Sequence, residues 1–325
     1  MRRRGAAAAV AALLAPLLAG AAATAQPAWP ERTVTIVVCF PPGGSNDVAA
    51  RLIAMPLSEA LGRTVVVENR PGAGGNIGIG AVARAQPDGH TLLVCSSAFV
   101  VNPSLYARVP YDPVRDFAPV ATLGAAPNVF AVRAESPFRT LGEVLDAARA
   151  NPDRLNYASS GVGTTPHLTG ELLKLRAGAG LQHIVFPGAG PATQAALAGT
   201  VELLVANQGS IEGQLRSGQL RPIAVTAPAR TADMPDVPTL AELGFPGLES
   251  DTFVGLWAPA ATPPPVLAKL ADAVAGVLRR PEVAERFRTA GIPIVSDGPE
   301  GLRARVAREV PLWRDVIRQA KIAPE

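Results

Sequence analysis

The chain has 325 residues, 48% of them hydrophobic and 18% charged, which excludes a disordered polymer and supplies apolar material for one or two packed cores. Its 31 glycines and 32 prolines exceed the usual share without reaching low complexity, so a folded chain with many turns is expected. Nine Phe, three Trp and three Tyr are too few for a base-stacking surface, and nucleic acid is excluded as a partner.

Arg2, Arg3 and Arg4 precede an apolar run from Ala6 to Ala23, interrupted by Pro16 and Gly20, and Ala23-Thr24-Ala25 follows before Gln26. A charged start, an apolar middle and an A-x-A site describe a cleaved export signal over residues 1–25, too short in its apolar core to anchor in a bilayer. Its removal takes three Arg from the formal charge of +3 and leaves 27 basic against 27 acidic residues. A soluble periplasmic protein is expected. Cys39 and Cys95 remain after cleavage, and an oxidising compartment would allow one bridge. Whether they pair depends on the fold bringing their Cα atoms within about 7 Å.

Thr33-Val34-Thr35-Ile36-Val37-Val38 reads as a strand covered on both faces. Phe40-Pro41-Pro42-Gly43-Gly44 ends it, Ser45 is placed to cap a helix carrying Val48, Leu52 and Ile53, and Pro56 is expected to kink or halve that helix. Leu61-Gly62 closes the helix, 64–67 is a second strand, 77–85 a second helix and 91–94 a third strand. This order predicts a doubly wound α/β unit. After 118–126 and 128–132 a new series begins, with Thr140-Leu141-Gly142-Glu143 as a capping box for a helix over 141–150. Strands near 155–158, 183–186, 201–205 and 222–226 alternate with helices near 168–175, 191–197 and 210–216. A further strand is expected at 252–258, then Thr262-Pro263 as Ncap and N1, and helices near 263–278, 281–289 and 300–321. The pattern predicts two α/β lobes joined by two or more crossings.

Three loops share one character: Pro41 to Asp47, Ser159 to His167 and Phe186 to Pro191 each join a strand to a helix N-terminus and are rich in Gly, Ser or Thr. Such termini offer free N–H groups and a positive dipole end, an anion site that needs no Arg or Lys. Gathered at strand ends of two lobes, they would converge on the cleft between them. Gly72-Ala73-Gly74-Gly75-Asn76-Ile77-Gly78, with Asp88 beyond it, departs from a dinucleotide fingerprint in spacing and follows the second strand, so it reads as a connection needing positive φ or close packing. His90, His167 and His183 have no metal-ligand spacing, and there is no G-x-S-x-G elbow. No catalytic residue, metal or cofactor is expected. His167 is the one histidine placed near a ligand, and Arg303, Arg305, Arg308, Arg314 and Arg318 are expected on a solvated helix face.

Trp29-Pro30-Glu31-Arg32, Phe40 to Asp47, Val65 to Gly78, Pro87-Asp88-Gly89, Asp116 to Val120, Asp236 to Glu242 and Ala258 to Pro263 together resemble the Bug family, the TctC-like periplasmic binding components of tripartite tricarboxylate transporters. The resemblance covers essentially the whole chain after residue 25. It implies a two-lobed type II periplasmic binding fold, each lobe a mixed β-sheet flanked by helices, closing on a small carboxylate. Lobe 1 would comprise 26–123 and 251–325, and lobe 2 124–250. Carried over by motif, the contacts would be Phe40, Gly44, Ser45, Asp47, Ser96 and Ser97 in lobe 1. In lobe 2 they would be Ser160, Gly161, Thr164, Thr165 and His167, with Gly188, Ala189 and Asn207 nearby.

The sequence departs from the family where Cys39 replaces a frequent Pro, Phe186-Pro187 a Tyr and a cation, Ala206 an Asp and Phe253 a Trp. Loss of the acid disfavours a ligand ammonium group and points to a plain carboxylate. The implied sheet order makes the first and third strands neighbours, so Cys39 and Cys95 are expected as a disulfide or close thiol pair beside the cleft. A monomer is expected, one that feeds membrane transport subunits or signals to a sensor domain. An exported enzyme using the same cleft, with a nucleotide at the Gly72 loop, is the alternative.

Overall fold

The structure is a computed structural model and describes residues 29–295 and 297–322. The export signal expected over residues 1–25 lies outside the described residues. Short β-branched runs form the centre of the fold. Strands β1 (Val34–Val38), β2 (Val65–Asn69) and β3 (Thr91–Ser96) are parallel, with β1 in the middle. Side chains alternate between two cores as a period of two requires. Val34, Ile36 and Val38 enter one core and Val37 the other, as do Leu92 and Val94 against Leu93 and Cys95.

Strand β4 (Phe117–Arg133) is nearly buried throughout. Its first part pairs antiparallel with β9 (Asp251–Pro259), which lies between β3 and β4. Its last part pairs with β7 (Leu203–Asn207) and β8 (Leu220–Val225), beyond which β5 (Leu155–Ser159) and β6 (Leu181–Val185) continue in parallel. The two sheet halves are thus joined through β4 and β9, with β2 and β6 at the outer ends of the order.

Around the first half pack α1 (Ser45–Leu61), α2 (Asn76–Ala83), α3 (Ala98–Leu105), α8 (Pro264–Leu278) and α9 (Pro281–Thr289). The second half carries α4 (Leu141–Ala150), α5 (Thr165–Ala177), α6 (Ala189–Ala198) and α7 (Gln208–Arg216). Helix α10 (Gly298–Gln319) lies against α3, β4 and α5. One core therefore runs beneath both halves, from Phe99 and Trp257 through Leu302 and Trp313 to Phe130, Tyr157 and Leu168. The Thr140 capping box is present, with Glu143 N–H donating to Thr140 Oγ1 at 3.2 Å and the Glu143 carboxylate accepting from Thr140 N–H at 3.3 Å.

Several local expectations are corrected. Helix α1 runs through Pro56 to Leu61, because Ile53, Pro56, Leu57 and Leu61 are all buried on one face, and that burial outweighs one missing N–H. Ser45 is the first helical residue, not its cap. Gly44 occupies the cap position, and the side chain that ties back the preceding turn is Asp47, whose Oδ2 accepts from Gly43 N–H at 2.9 Å. Pro263 likewise holds the cap position before α8, while the Thr262 hydroxyl donates to Pro259 O at 2.7 Å. Helix α3 was not expected, since Ala98-Phe99-Val100-Val101 continues the apolar run of the preceding strand and Pro103 reads as a breaker.

Arg305 leaves the solvated face. It is buried, pairing with Asp251 at 2.6 Å and Glu309 at 2.9 Å, while Arg303, Arg308, Arg314 and Arg318 stay exposed. Around Gly72 the chain adopts positive φ at Gly72, Gly74 and Gly75, and a Cβ on Gly78 would lie 2.7 Å from Arg70 O. Close packing explains these glycines, and Asp88 is engaged by Arg32 at 2.8 Å and by His90 N–H at 2.9 Å.

Candidate functional site

Four strands deliver their C-terminal ends to one cavity of about 510 Å³ between the sheet halves, a volume within the usual range for small-molecule sites. β1 leads through Phe40 and Gly43 into α1, and β3 through Ser96 and Ser97 into α3. On the facing side β5 leads through Ser160 to Thr164 into α5, and β7 passes directly from Asn207 into α7. The sheet order explains the convergence, because β3 and β7 flank the two crossing strands and β1 and β5 come next.

The lining combines the hydroxyls of Ser45, Ser96, Ser97, Ser160, Thr164, Thr165, Ser210 and Thr252 with the apolar walls Phe40, Val48, Leu105, Val162 and Ile292. Among the described residues that line it there is no Asp, Glu, Lys, Arg or His. Positive potential comes instead from helix N-termini. The cap residues of α1, α3 and α5 accept no N–H from their own helices through their side chains. In α5 the Thr164 hydroxyl donates away from the helix, to Gly161 O at 2.8 Å. Only α7 has its cap filled, Asn207 Oδ1 accepting from Gly209 N–H at 3.2 Å while Asn207 Nδ2 donates to Ala126 O at 3.0 Å.

Of the residues expected from sequence, Phe40, Ser45, Ser96, Ser97, Ser160, Thr164, Thr165 and Asn207 line the cavity. Gly44 and Gly161 lie in the lining loops, beside Ser45 and Ser160, without contributing to the wall. Asp47 points away and is buried. Burial works against its charge, but hydrogen bonds from Arg51, Gly43 N–H and Asn69 prevail and hold its carboxyl below the usual value. The same Asn69 donates to Phe40 O at 3.0 Å, so Asp47 braces the turn that carries Phe40. Gly188 and Ala189 do not line the cavity, because they follow β6, the outermost strand of its half.

His167 also lies outside the lining. It is buried behind the Ser160–Thr164 loop, its ring stacked on His183 with centroids 4.0 Å apart, and its Nδ1 accepts from Gly163 N–H at 3.0 Å. Burial, then His183 and Lys174, push its pKa down to about 3. Burial depresses His183 to about 4, against the pull of Glu171.

Sequence reading missed Asn102, Leu105 and Tyr106, which depend on the unforeseen α3, Thr252 on the crossing strand β9, Gly209 in the first turn of α7, and Gly291 after α9. Cys39 and Cys95 are joined, with Cα atoms 5.6 Å apart at the ends of adjacent strands, immediately before Phe40 and Ser96. Among the described residues no group of three His, Cys, Asp or Glu could hold a metal, and no helix is long and apolar enough to cross a membrane.

Residues 49–322 match the family described as "Tripartite tricarboxylate transporter family receptor". The chain belongs to this TctC family. The UPF0065 protein in the tcbD-tcbE intergenic region of a Pseudomonas species is 40% identical to it, over 89% of this chain and 87% of that one. Two solved structures from Rhodopseudomonas palustris, one with adipate and one, MatC, with bound malate, are each 34% identical. They cover 91% and 89% of this chain and all of their own length, with TM-scores of 0.77 and 0.74. This TctC chain thus has the two-lobed α/β fold of the periplasmic binding proteins, and it is a solute-binding protein of a tripartite transporter family.

Proposed function

We propose that this TctC protein captures a small organic carboxylate, one without an ammonium group, in the cavity between its lobes. The observation that carries this reading is a cavity lined by hydroxyls and helix N-termini from both sides, with no charged side chain among its described lining residues. Partial positive charges fixed in the backbone attract an anion, and no carboxylate stands ready to pair an ammonium. Malate and adipate, found in the two relatives, are the ligand type such a site fits.

The lobes are residues 26–123 with 251–325, and 124–250. Ser45, Ser96 and Ser97 face Ser160, Thr164 and Thr165 across the cleft, so a ligand touching both sets favours the closed form, since only differential affinity shifts a conformational equilibrium. Residues 1–25 act as a cleaved signal that delivers the chain to the periplasm. There the loaded monomer hands its ligand to the membrane subunits of a tripartite transporter, without transforming it.

The test is a thermal-shift screen of residues 26–325, refolded to remove carried-over ligand, against malate, adipate, aromatic carboxylates, amino acids and nicotinamide nucleotides. A carboxylate at a hundredfold excess over Kd should stabilise the protein by about 2.7 kcal/mol. Stabilisation by nucleotides alone would overturn the reading in favour of an enzyme.

A further inference from the structure

The Ser160–Thr164 loop is closed internally by the Thr164 hydroxyl donating to Gly161 O at 2.8 Å, and Leu105 packs against Gly163 from the cavity side. Gly161 and Gly163 both have positive φ, at 144° and 72°, a backbone path that carries no intrinsic preference for one shape. Its Gly161 and Gly163 amides are held from behind. Gly163 N–H donates to His167 Nδ1 at 3.0 Å, and Ser159 Oγ, 2.7 Å from His183 Nε2, accepts from Gly161 N–H at 3.5 Å. The two imidazoles stack at an interplanar angle of 17°, and the Tyr157 ring stacks on His183 with centroids 4.8 Å apart. Tyr157 Oη lies 2.7 Å from Glu171 Oε1 and 3.2 Å from His167 O, both acceptors for its proton, and Glu171 Oε1 also accepts from Lys174 Nζ at 2.9 Å.

We propose that His167, held by its stack on His183, is a positioning residue for the anion-binding loop, fixing the Gly163 amide from behind while leaving the ligand untouched. The proposal rests on reading this loop as part of the carboxylate site. Its chemistry is specific: a nitrogen accepts an N–H only while it carries no proton, so His167 must be neutral with its hydrogen on Nε2. The groups around the pair are Tyr157 on β5 and Glu171 and Lys174 on α5. Burial and the neighbouring Lys174 keep His167 neutral across ordinary pH. Protonation of Nδ1 would remove the acceptor and release Gly163.

The experiment uses residues 26–325 labelled with 15N, following amide exchange at Gly163 and the His167 imidazole signals, alongside calorimetric titration with malate and adipate. Two variants separate packing from hydrogen bonding. His167→Phe keeps an aromatic ring for the stack and removes the acceptor, whereas His167→Asn places an oxygen close to the position of Nδ1. His167→Phe should abolish Gly163 protection and weaken binding roughly tenfold, the scale for leaving a buried N–H unpaired. His167→Asn should restore both. In the wild type, acidification should shift the Gly163 amide with the same midpoint as the imidazole.

Wild-type Gly163 exchange in His167→Phe, or a Gly163 signal indifferent to protonation of His167, would overturn the proposal. So would lost protection with unchanged affinity. Should His167→Phe fail to fold, the wild-type titration decides alone. If neither acid binds the wild-type protein, the proposed ligand class fails, and the Gly163 readout still decides the role of the histidine.

Discussion

Replacing Arg305 by Met should destabilise the protein by about 3 to 5 kcal/mol near pH 8, and by markedly less near pH 5. Arg305 reaches Asp251 through both terminal nitrogens, at 2.6 and 3.1 Å, and Glu309 through one of them at 2.9 Å. Its guanidinium also lies over the Phe253 ring, 4.9 Å from the centroid. The side chains of Arg305 and Glu309 are only 12% and 7% exposed, so water cannot replace the lost partner. Burial already pushes the Glu309 carboxyl above its usual pKa, with Arg305 pulling the other way. Without Arg305 the upward push is unopposed by its principal counter-ion.

An acid whose folded pKa is raised favours the folded state below its unfolded value, and that advantage is lost as pH rises through the folded value. The deficit of Arg305→Met relative to wild type must therefore grow with pH. Urea unfolding of both proteins at the two pH values measures it, and adding Glu309→Gln should recover part of the loss at pH 8. A deficit that is the same at both pH values, or below about 1 kcal/mol, would refute the reasoning.

The histidine pair carries a pH dependence of opposite sign. Because His167 and His183 are depressed to about 3 and about 4 in the folded protein, the stability linked to their neutral forms is complete above about pH 6.5 and is lost as pH falls towards those values. By pH 5 the loss is about 2 kcal/mol from His167 and less from the more open His183, so the stability gap between wild type and His167→Asn should shift by that amount between pH 8 and pH 5. Calorimetric unfolding of the two proteins at both pH values checks this. A Cβ on Gly209 would lie 2.6 Å from Gly291 O, so Gly209→Val should wedge the start of α7 from the segment after α9. Malate or adipate affinity should fall on the order of tenfold, and X-ray scattering should show less ligand-induced compaction than in wild type.

Much of the fold was legible because strands such as β1 are short β-branched runs with both faces largely buried, and because punctuation such as Gly62 and the Thr140 capping box is local. What escaped was set by distant partners. Ala98 to Leu105 forms a helix because Phe99 stacks on Trp257 at 4.3 Å, a contact across nearly half the chain. Arg305 is buried because Asp251 meets it from the crossing strand. At the cavity, the Gly- and Ser-rich loops announced helix N-termini correctly. The sequence could not show that Asp47 and His167, side by side with lining residues in the chain, turn inward to brace the loops instead of entering the cavity.

The position of β9 bears on when the protein can fold. This strand occupies the middle of the sheet, between β3 and β4, yet residues 134–250 separate it from β4 in the chain. A ribosome has completed most of the polypeptide before that central slot can be filled, and until then β3 and β4 have no common neighbour. Pairing across such sequence distances makes assembly slow. A keystone strand made this late leaves β1 to β3 unjoined to β4 until most of the chain has been synthesised.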